Sequence, residues 1–162
     1  MGAVTSNDIL QLLAAPLAAV DGLDLSDRDA AEAALEQSYP ANSAAADALR
    51  EALLAAVADG VICDRGNDAI RYSRLAKAGP DTADHSIDFV WMTGPGINHR
   101  HPRGEINLCF AVEGEALFDE RPAGWQVFAP GSEHVPTVTD GRMLIVYFLP
   151  GGAVEWINDG KA

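Results

Sequence analysis

Two histidines separated by a single residue stand at positions 99 and 101, and a glutamate follows at position 105. Because alternate side chains of a β-strand point to the same face, His99 and His101 can bind one metal ion. Pro102 and Gly104 favour a tight turn before Glu105, so its carboxylate can return to the same point. The segment therefore predicts a metal site with two imidazole ligands and one carboxylate ligand.

A fourth candidate ligand is His134, which follows a Pro130-Gly131 turn between two predicted strands. A lone histidine is more often a core or surface residue than a ligand, but here it adds to three residues at metal-binding spacing. Three imidazoles and one carboxylate suit Fe(II), Mn(II), Ni(II), Co(II) or Zn(II) and leave positions open for water or substrate. We expect one divalent metal per chain, in the order Fe(II), Mn(II), Zn(II).

The first sixty residues carry the pattern of helices, with alanine and leucine abundant and apolar positions at helical spacing. This pattern predicts helices over 7–20, 26–37 and 42–58. Ser26 and Asn42 are candidate N-caps, and Gly60 can adopt the left-handed conformation that ends the third helix.

Beyond Gly60 the sequence changes to short runs rich in Val, Ile, Phe, Tyr and Trp, separated by Gly, Pro, Asn and Asp. Strands are predicted at 61–64, 69–76, 85–93, 104–112, 115–119, 124–128, 134–139, 142–149 and 153–157. Many short strands indicate a barrel or a sandwich. We expect a mainly β fold with an α-helical N-terminal segment, in which residues 1–60 pack on a barrel formed by residues 61–162.

Composition limits the partners of this chain of 162 residues, which carries a formal net charge of −13. Such a charge argues against nucleic acid and acidic membranes, because its field repels phosphates. The sequence shows no signal peptide or membrane-spanning run, and its two cysteines, Cys63 and Cys109, form no disulfide framework, so we expect a cytoplasmic protein. Sheet edges and alanine-rich helices favour a homo-oligomer, a dimer or larger.

The two ligand-bearing segments resemble the paired motifs of the cupin superfamily, which supply two histidines and a glutamate from the first motif and one histidine from the second. Longer stretches resemble the 4-hydroxylaminobenzoate lyase family of nitroarene-degrading bacteria: 94–106, 116–119, 122–132, 134–141 and 147–156. The resemblance implies a cupin barrel, also called a double-stranded β-helix or jelly roll. It also implies conversion of 4-hydroxylaminobenzoate to 3,4-dihydroxybenzoate (protocatechuate) and ammonia in nitrobenzoate degradation.

The implied chemistry suits such a site, because a divalent metal can act as a Lewis acid on the hydroxylamino oxygen and present water to the ring. No net oxidation by O₂ is needed. Two other functions share the ligand set: an O₂-dependent aromatic dioxygenase, and a non-catalytic cupin that senses or stores a small ligand.

Residues near the ligands are placed by strand periodicity. If Glu105 points inward, Asn107 and Cys109 share its face, which makes Asn107 a candidate polar contact and Cys109 a packing residue. Glu105, Asn107 and Tyr147 are the candidate catalytic residues.

Recognition of a substrate carboxylate requires a cation, and arginine gives a bidentate contact. Arg74 is the first candidate, with Arg71 and Arg103 behind it, since a strand position fixes a guanidinium better than a turn does.

Aromatic and titratable side chains elsewhere give weaker candidates. Trp91 and Trp125 can flank an aromatic ring, although most strand aromatics belong to the core. His85 and Glu133 are candidate proton-transfer groups.

Overall fold

The computed structural model describes residues 4–157, and four helices occupy the amino-terminal part of this range. None of the helices in the described range is long and apolar enough to cross a membrane. Residues 1–3 and 158–162, the outer ends of the two predicted segments, lie outside the described residues. The helices are α1 (Ser6–Leu12), α2 (Ala14–Val20), α3 (Arg28–Ser38) and α4 (Ala44–Ala58).

The helix predicted over 7–20 is two helices that meet at Leu13. Pro16 explains the break, since proline lacks an N–H and its ring clashes with the carbonyl four residues earlier in a continuous helix. The end of α4 follows the prediction: Gly60 has a φ of +72° and the N–H of Val61 donates to the carbonyl of Ala56 over 2.9 Å.

The N-caps of α3 and α4 each lie one residue beyond the predicted cap. Asp27 accepts a hydrogen bond from the N–H of Ala30, and Ser43 accepts one from the N–H of Ala46, both over 3.1 Å. Ser26 instead donates to the carboxylate of Asp24.

Between the helices and residue 157, the last residue described, nine strands form two antiparallel sheets. The large sheet has six strands in the order β1-β2-β3-β8-β5-β6, and the small sheet has the order β7-β4-β9. The strands are β1 (Arg65–Gly66), β2 (Ile70–Ala76), β3 (His85–Pro95), β4 (His99–His101), β5 (Glu105–Phe118), β6 (Gly124–Phe128), β7 (Ser132–His134), β8 (Thr137–Pro150) and β9 (Glu155–Trp156).

Several strand predictions differ from the structure: the strands predicted at 134–139 and 142–149 are largely one strand, β8, and β4 lies outside the predicted strand ranges. Two further differences have local reasons. Residues 61–64 form bends rather than a strand, since Cys63 has a φ of 55° and its N–H bonds to the Ser73 hydroxyl. The strands predicted at 104–112 and 115–119 are one strand, β5, whose pairing with β8 shifts register on either side of Glu113 and Gly114. Bulges let one strand continue where the sequence pattern is interrupted.

The large sheet carries a separate core on each face. Ile106, Leu108 and Phe110 of β5 point to the helices and share a core with Leu35 and Leu53. The opposite face packs a second cluster, which consists of Met92, Cys109, Ala116, Phe118, Phe128, Val138, Met143, Ile145 and Tyr147. The mainly β fold with a helical N-terminal segment is confirmed, and its described strands form two separately hydrogen-bonded sheets rather than one closed barrel.

Glu32 of α3 links the helices to the sheet. Its carboxylate accepts two hydrogen bonds from the Arg121 guanidinium, over 2.8 and 2.6 Å, and one from the N–H of Val127 over 2.8 Å. Arg121 lies in the turn between β5 and β6, and Val127 lies on β6, so one carboxylate holds both.

We expect Glu32→Ala to lower the free energy of unfolding by about 2 kcal/mol, because a buried donor left without its partner costs about 1–3 kcal/mol. Urea denaturation of the purified variant measures this loss. The matched control is Glu51→Ala, because Glu51 is also a helical glutamate paired with an arginine but its side chain is 73% exposed. Equal stabilities of the two variants would contradict the role assigned to Glu32.

Candidate metal centre and cavity

The structure brings the four predicted ligands together between the two sheets. His99 and His101 lie on β4, His134 ends β7 directly opposite His99, and Glu105 begins β5 of the large sheet. One ligand atom from each of the four residues lies within 4.8 Å of the other three, so the group could hold a metal ion. His101 and Glu105 are fully buried.

Gly104 makes the return of Glu105 to the histidines possible. Its φ is +89°, and a Cβ at this position would lie 2.7 Å from Leu25 Cδ1 and 2.9 Å from the carbonyl oxygen of Phe128. Only glycine fits this conformation and this space without strain.

Hydrogen bonds fix the orientation of the first two imidazoles. His99 Nδ1 lies 2.9 Å from the carbonyl oxygen of Ile97 and therefore donates to it. The Ser132 hydroxyl donates to the carbonyl of Ala129 and accepts from His101 Nδ1 over 3.1 Å. In both rings the proton on Nδ1 leaves a lone pair on Nε2 for a metal.

The third imidazole is held by a carboxylate. His134 Nδ1 lies 2.5 Å from Asp119 Oδ2, while the N–H of Thr137 donates to the other oxygen of Asp119 over 2.9 Å. Burial lowers the pKa of His134, but the charges of Asp119 and Glu105 outweigh it and raise the pKa to about 9. In metal-free protein His134 is therefore protonated on both ring nitrogens, and a metal must displace the proton on Nε2.

The unsatisfied atoms at the centre match the needs of a cation. The buried Nε2 atoms of His101 and His134 have no hydrogen-bond partner. Glu105 Oε2 lies 3.3 Å from His99 Nε2, 3.8 Å from His134 Nε2, and in close contact with His101 Nε2. Burial favours the neutral carboxyl, but the three histidines hold the pKa of Glu105 well below its usual range. Three nitrogens around an ionised carboxylate fit a divalent first-row metal.

Asn107 orients the carboxylate of Glu105 through a hydrogen bond to its second oxygen. With its amide nitrogen turned toward the carboxylate, the fully buried Asn107 donates to Glu105 Oε1 over 2.9 Å. This bond leaves Oε2 directed at the histidines. The geometry gives Asn107 a positioning role toward a candidate metal ligand.

A cavity of about 440 Å³ begins at His99 and Glu105 and opens between the sheets. Its wall is mostly apolar, with a few polar groups and three aromatic side chains, as is typical of small-molecule sites. Besides the two ligands it is lined by Ile70, Tyr72, Ser73, Arg74, Asp88, Val90, Met92, Gly96, Ile97, Pro136, Tyr147, Leu149, Val154 and Trp156.

Two of the predicted functional residues outside the ligand set line this cavity. Arg74 donates from Nε and Nη2 to the two oxygens of Asp88, over 2.8 and 3.2 Å, so Nη1 takes no part in the pair. Burial, followed by the charge of Glu105, raises the pKa of Tyr147 well above its usual range. The phenol therefore stays protonated and can donate a hydrogen bond.

Three other predicted substrate-binding residues do not line the cavity. Arg71 alternates with Arg74 on β2, so it lies on the opposite face, where its guanidinium stacks 5.2 Å from the Trp91 ring centre. Arg103 is exposed and lies 3.8 Å from Asp84. The geometry gives no support to a substrate contact by Arg71, Arg103 or Trp91.

The weaker candidates also lie elsewhere. Trp125 belongs to the helix-facing core and donates from its indole nitrogen to the Tyr39 carbonyl over 2.8 Å. The ring of His85 bonds to a backbone carbonyl, and Glu133 forms an exposed ion pair with Arg100. None of these three candidates is part of the cavity wall.

The sequence analysis missed Asp119, Ser132 and Trp156. Asp119 has a φ of 47° in the turn after β5, and a lone aspartate in a turn has no fixed spacing from its partner histidine. Trp156 lies on a two-residue strand that contacts the site only through pairing with β4.

Two antiparallel sheets that enclose a His-x-His pair, a following glutamate and a later histidine define a protein of the cupin class. Within that class, the chain belongs to the family described as PnbB: 4-hydroxylaminobenzoate lyase, whose sequence pattern matches residues 14–156.

Two curated relatives carry the name 4-hydroxylaminobenzoate lyase. The protein of Pseudomonas putida is 34% identical over 89 residues, and that of Nocardioides sp. (strain LMS-CY) is 33% identical over 110 residues. The matches cover 52% and 62% of this chain, but only 51% and 65% of the relatives.

Solved structures with a similar fold include a chain from the crystal structures of the DMSP lyases RdDddP and RnDddQII. It has a TM-score of 0.49 and 18% identity, with 95% of this chain and 100% of that chain covered. An RmlC-like cupin protein from Ralstonia eutropha JMP134 has a TM-score of 0.42 and 13% identity over 59% of this chain and 64% of its own.

Proposed function

We propose that this protein is a metal-dependent lyase that converts 4-hydroxylaminobenzoate to 3,4-dihydroxybenzoate and ammonia in nitrobenzoate degradation. The observation that carries the proposal is the convergence of His99, His101, Glu105 and His134 beside a mostly apolar cavity that His99 and Glu105 line. Family membership supports the same reaction. The reaction consumes one water and balances without an external oxidant or reductant.

The four ligands would hold one divalent metal, for which we propose Fe(II), then Mn(II), then Zn(II). When bound, such a metal supplies a Lewis acid for N–O cleavage and activates water. Glu105 offsets part of its charge, and the bond from Asn107 keeps the carboxylate oriented.

The cavity residues bind and orient the substrate in this proposal. The apolar wall takes up the ring and excludes bulk water, while the protonated Tyr147 hydroxyl donates a hydrogen bond to the reacting group. Arg74 offers Nη1 to the substrate carboxylate, while Asp88 keeps the guanidinium in place.

The decisive experiment is anaerobic incubation of the metal-loaded protein with 4-hydroxylaminobenzoate. We expect equal amounts of ammonia and 3,4-dihydroxybenzoate, with the His101→Ala protein as the inactive control. Substrate loss that begins only when air is admitted, with oxygen consumed in step with it, would instead indicate a dioxygenase. Metal retention without turnover would indicate a non-catalytic cupin.

Arg74→Ala is expected to raise KM for 4-hydroxylaminobenzoate about tenfold and to change kcat little. The reason is that a remote cation stabilises the ground state and the transition state about equally. Steady-state kinetics measures the split between KM and kcat. Matched controls are Arg71→Ala and Arg103→Ala, which remove arginines outside the cavity; equal KM values for all three variants would contradict the role of Arg74.

We also propose a homo-oligomer without nucleic-acid or membrane partners. The proposal is based on the net charge of −13 and on the sheet edges that no strand covers within the described residues. Light scattering at micromolar concentration tests the oligomer, and a monomer would contradict it. The cytoplasmic location stays a prediction.

A further inference from the structure

Exposed apolar side chains concentrate at the mouth of the cavity. Among the described residues, six large hydrophobic side chains are exposed: Val4, Leu12, Tyr72, Ile97, Val135 and Trp156. Three of them, Tyr72, Ile97 and Trp156, line the cavity, and we call these three the rim. Trp156 has 67% of its surface exposed, which is unusual for the largest apolar side chain.

The position of Trp156 is fixed beside a metal ligand. Strand β9 pairs with β4 so that Trp156 lies directly opposite His99, and the N–H of Ile157 donates to the Asn98 carbonyl over 3.0 Å. The indole and imidazole centres are 5.3 Å apart, with the rings inclined by 56°. The backbone thus holds the indole next to the ligand cluster, while most of the indole surface remains open.

We propose that Trp156 contacts the ring of the substrate and makes the site prefer a planar aromatic acid over a saturated ring of the same size and charge. This inference rests on the proposed function. Indole offers a flat, polarisable surface with few rotatable bonds, and it packs against an aromatic ring in offset-stacked or edge-to-face geometry. The aliphatic part of the wall contacts flat and puckered rings alike. Of the three aromatic side chains that line the cavity, Trp156 has its ring beside His99, so we assign the preference to Trp156.

Isothermal titration of metal-loaded protein with two probes tests this role. The probes are 4-hydroxybenzoate and trans-4-hydroxycyclohexanecarboxylate, which share charge and substituents and differ in aromaticity. Wild-type protein is expected to bind the aromatic probe about tenfold more tightly, within the energy of one aromatic pair. Trp156→Leu removes most of this preference, whereas Trp156→Phe retains it, at equal metal content.

The control is Leu12→Ala, which changes an exposed apolar residue on α1 and leaves the preference intact. An unchanged preference in Trp156→Leu, or no binding of either probe by wild-type protein, would overturn the inference. Conversion of an oligomer to monomers by Trp156→Leu without a change in preference would also overturn it, and would assign the rim to contacts between copies.

The outcomes for the two proposals are distinguishable, because probe binding requires no turnover. A protein that shows the Trp156-dependent preference but leaves 4-hydroxylaminobenzoate unchanged refutes only the lyase reaction. If the protein turns over 4-hydroxylaminobenzoate but Trp156→Leu leaves the preference for the aromatic probe unchanged, only the role of Trp156 is refuted.

Discussion

His101→Ala is expected to lose the bound metal and to bring turnover of 4-hydroxylaminobenzoate to background. His101 is completely buried, and its ring is oriented by Ser132 so that Nε2 faces Glu105 and the other histidines. Residues that only orient a ligand contribute about 10–100-fold to metal affinity, so removal of a ligand itself should exceed about 100-fold. Elemental analysis after mild purification, combined with anaerobic kinetics, measures both effects.

A second ligand variant separates charge from shape. Glu105→Gln keeps the size of the side chain and removes the negative charge that three imidazoles and a divalent metal require, so metal and turnover should again be lost.

The matched control for His101→Ala is His85→Ala, because His85 is also a buried histidine of the β fold but lies outside the ligand group. Full metal content and normal turnover in His101→Ala would refute the proposed centre.

Three of the four candidate ligands were predictable because their geometry is set locally, whereas His134 reaches them through the pairing of β7 with β4 and was predicted from its place after the Pro130-Gly131 turn. Alternation along a strand places His99 and His101 on one face, and a glycine-containing turn returns Glu105 to them. The same alternation along β5 places Asn107 and Cys109 on the ligand-facing side. The mainly β fold with its helical segment was equally accessible from composition and periodicity.

Features set by long-range pairing were not predictable from one sequence. Arg74 was placed ahead of Arg71 without knowledge of the face that each occupies, because only the pairing of β2 shows which face lines the cavity. Trp156 meets the site through its register with β4, and Trp91 faces away from it on β3. Such placements depend on contacts between residues far apart in sequence, which local patterns do not encode.

Asp119→Asn is expected to weaken metal binding about 10–100-fold, because the carboxylate orients His134 and increases its basicity. Asparagine has nearly the same shape and can still accept from the N–H of Thr137, so the fold should persist. Direct titration with metal, followed by comparison of circular dichroism spectra, separates the two effects. The control is Asp140→Asn, which changes an exposed aspartate of β8 that, like Asp119, has a positive φ, and this variant should bind metal like the wild type.

The pH dependence of metal affinity distinguishes the effect of Asp119 on His134 from a loss of folding. With a pKa of about 9, His134 is protonated at neutral pH in metal-free protein, so wild-type metal affinity should rise as the pH increases from 7 toward 9. Removal of the Asp119 charge lowers this pKa, so the affinity of Asp119→Asn should level off at a lower pH. The difference in metal affinity between wild type and variant is therefore largest at alkaline pH. It shrinks on acidification, because protons compete with the metal more strongly at His134 of the wild type. A deficit that stays constant between pH 7 and 9 would show that Asp119 does not act through the proton of His134.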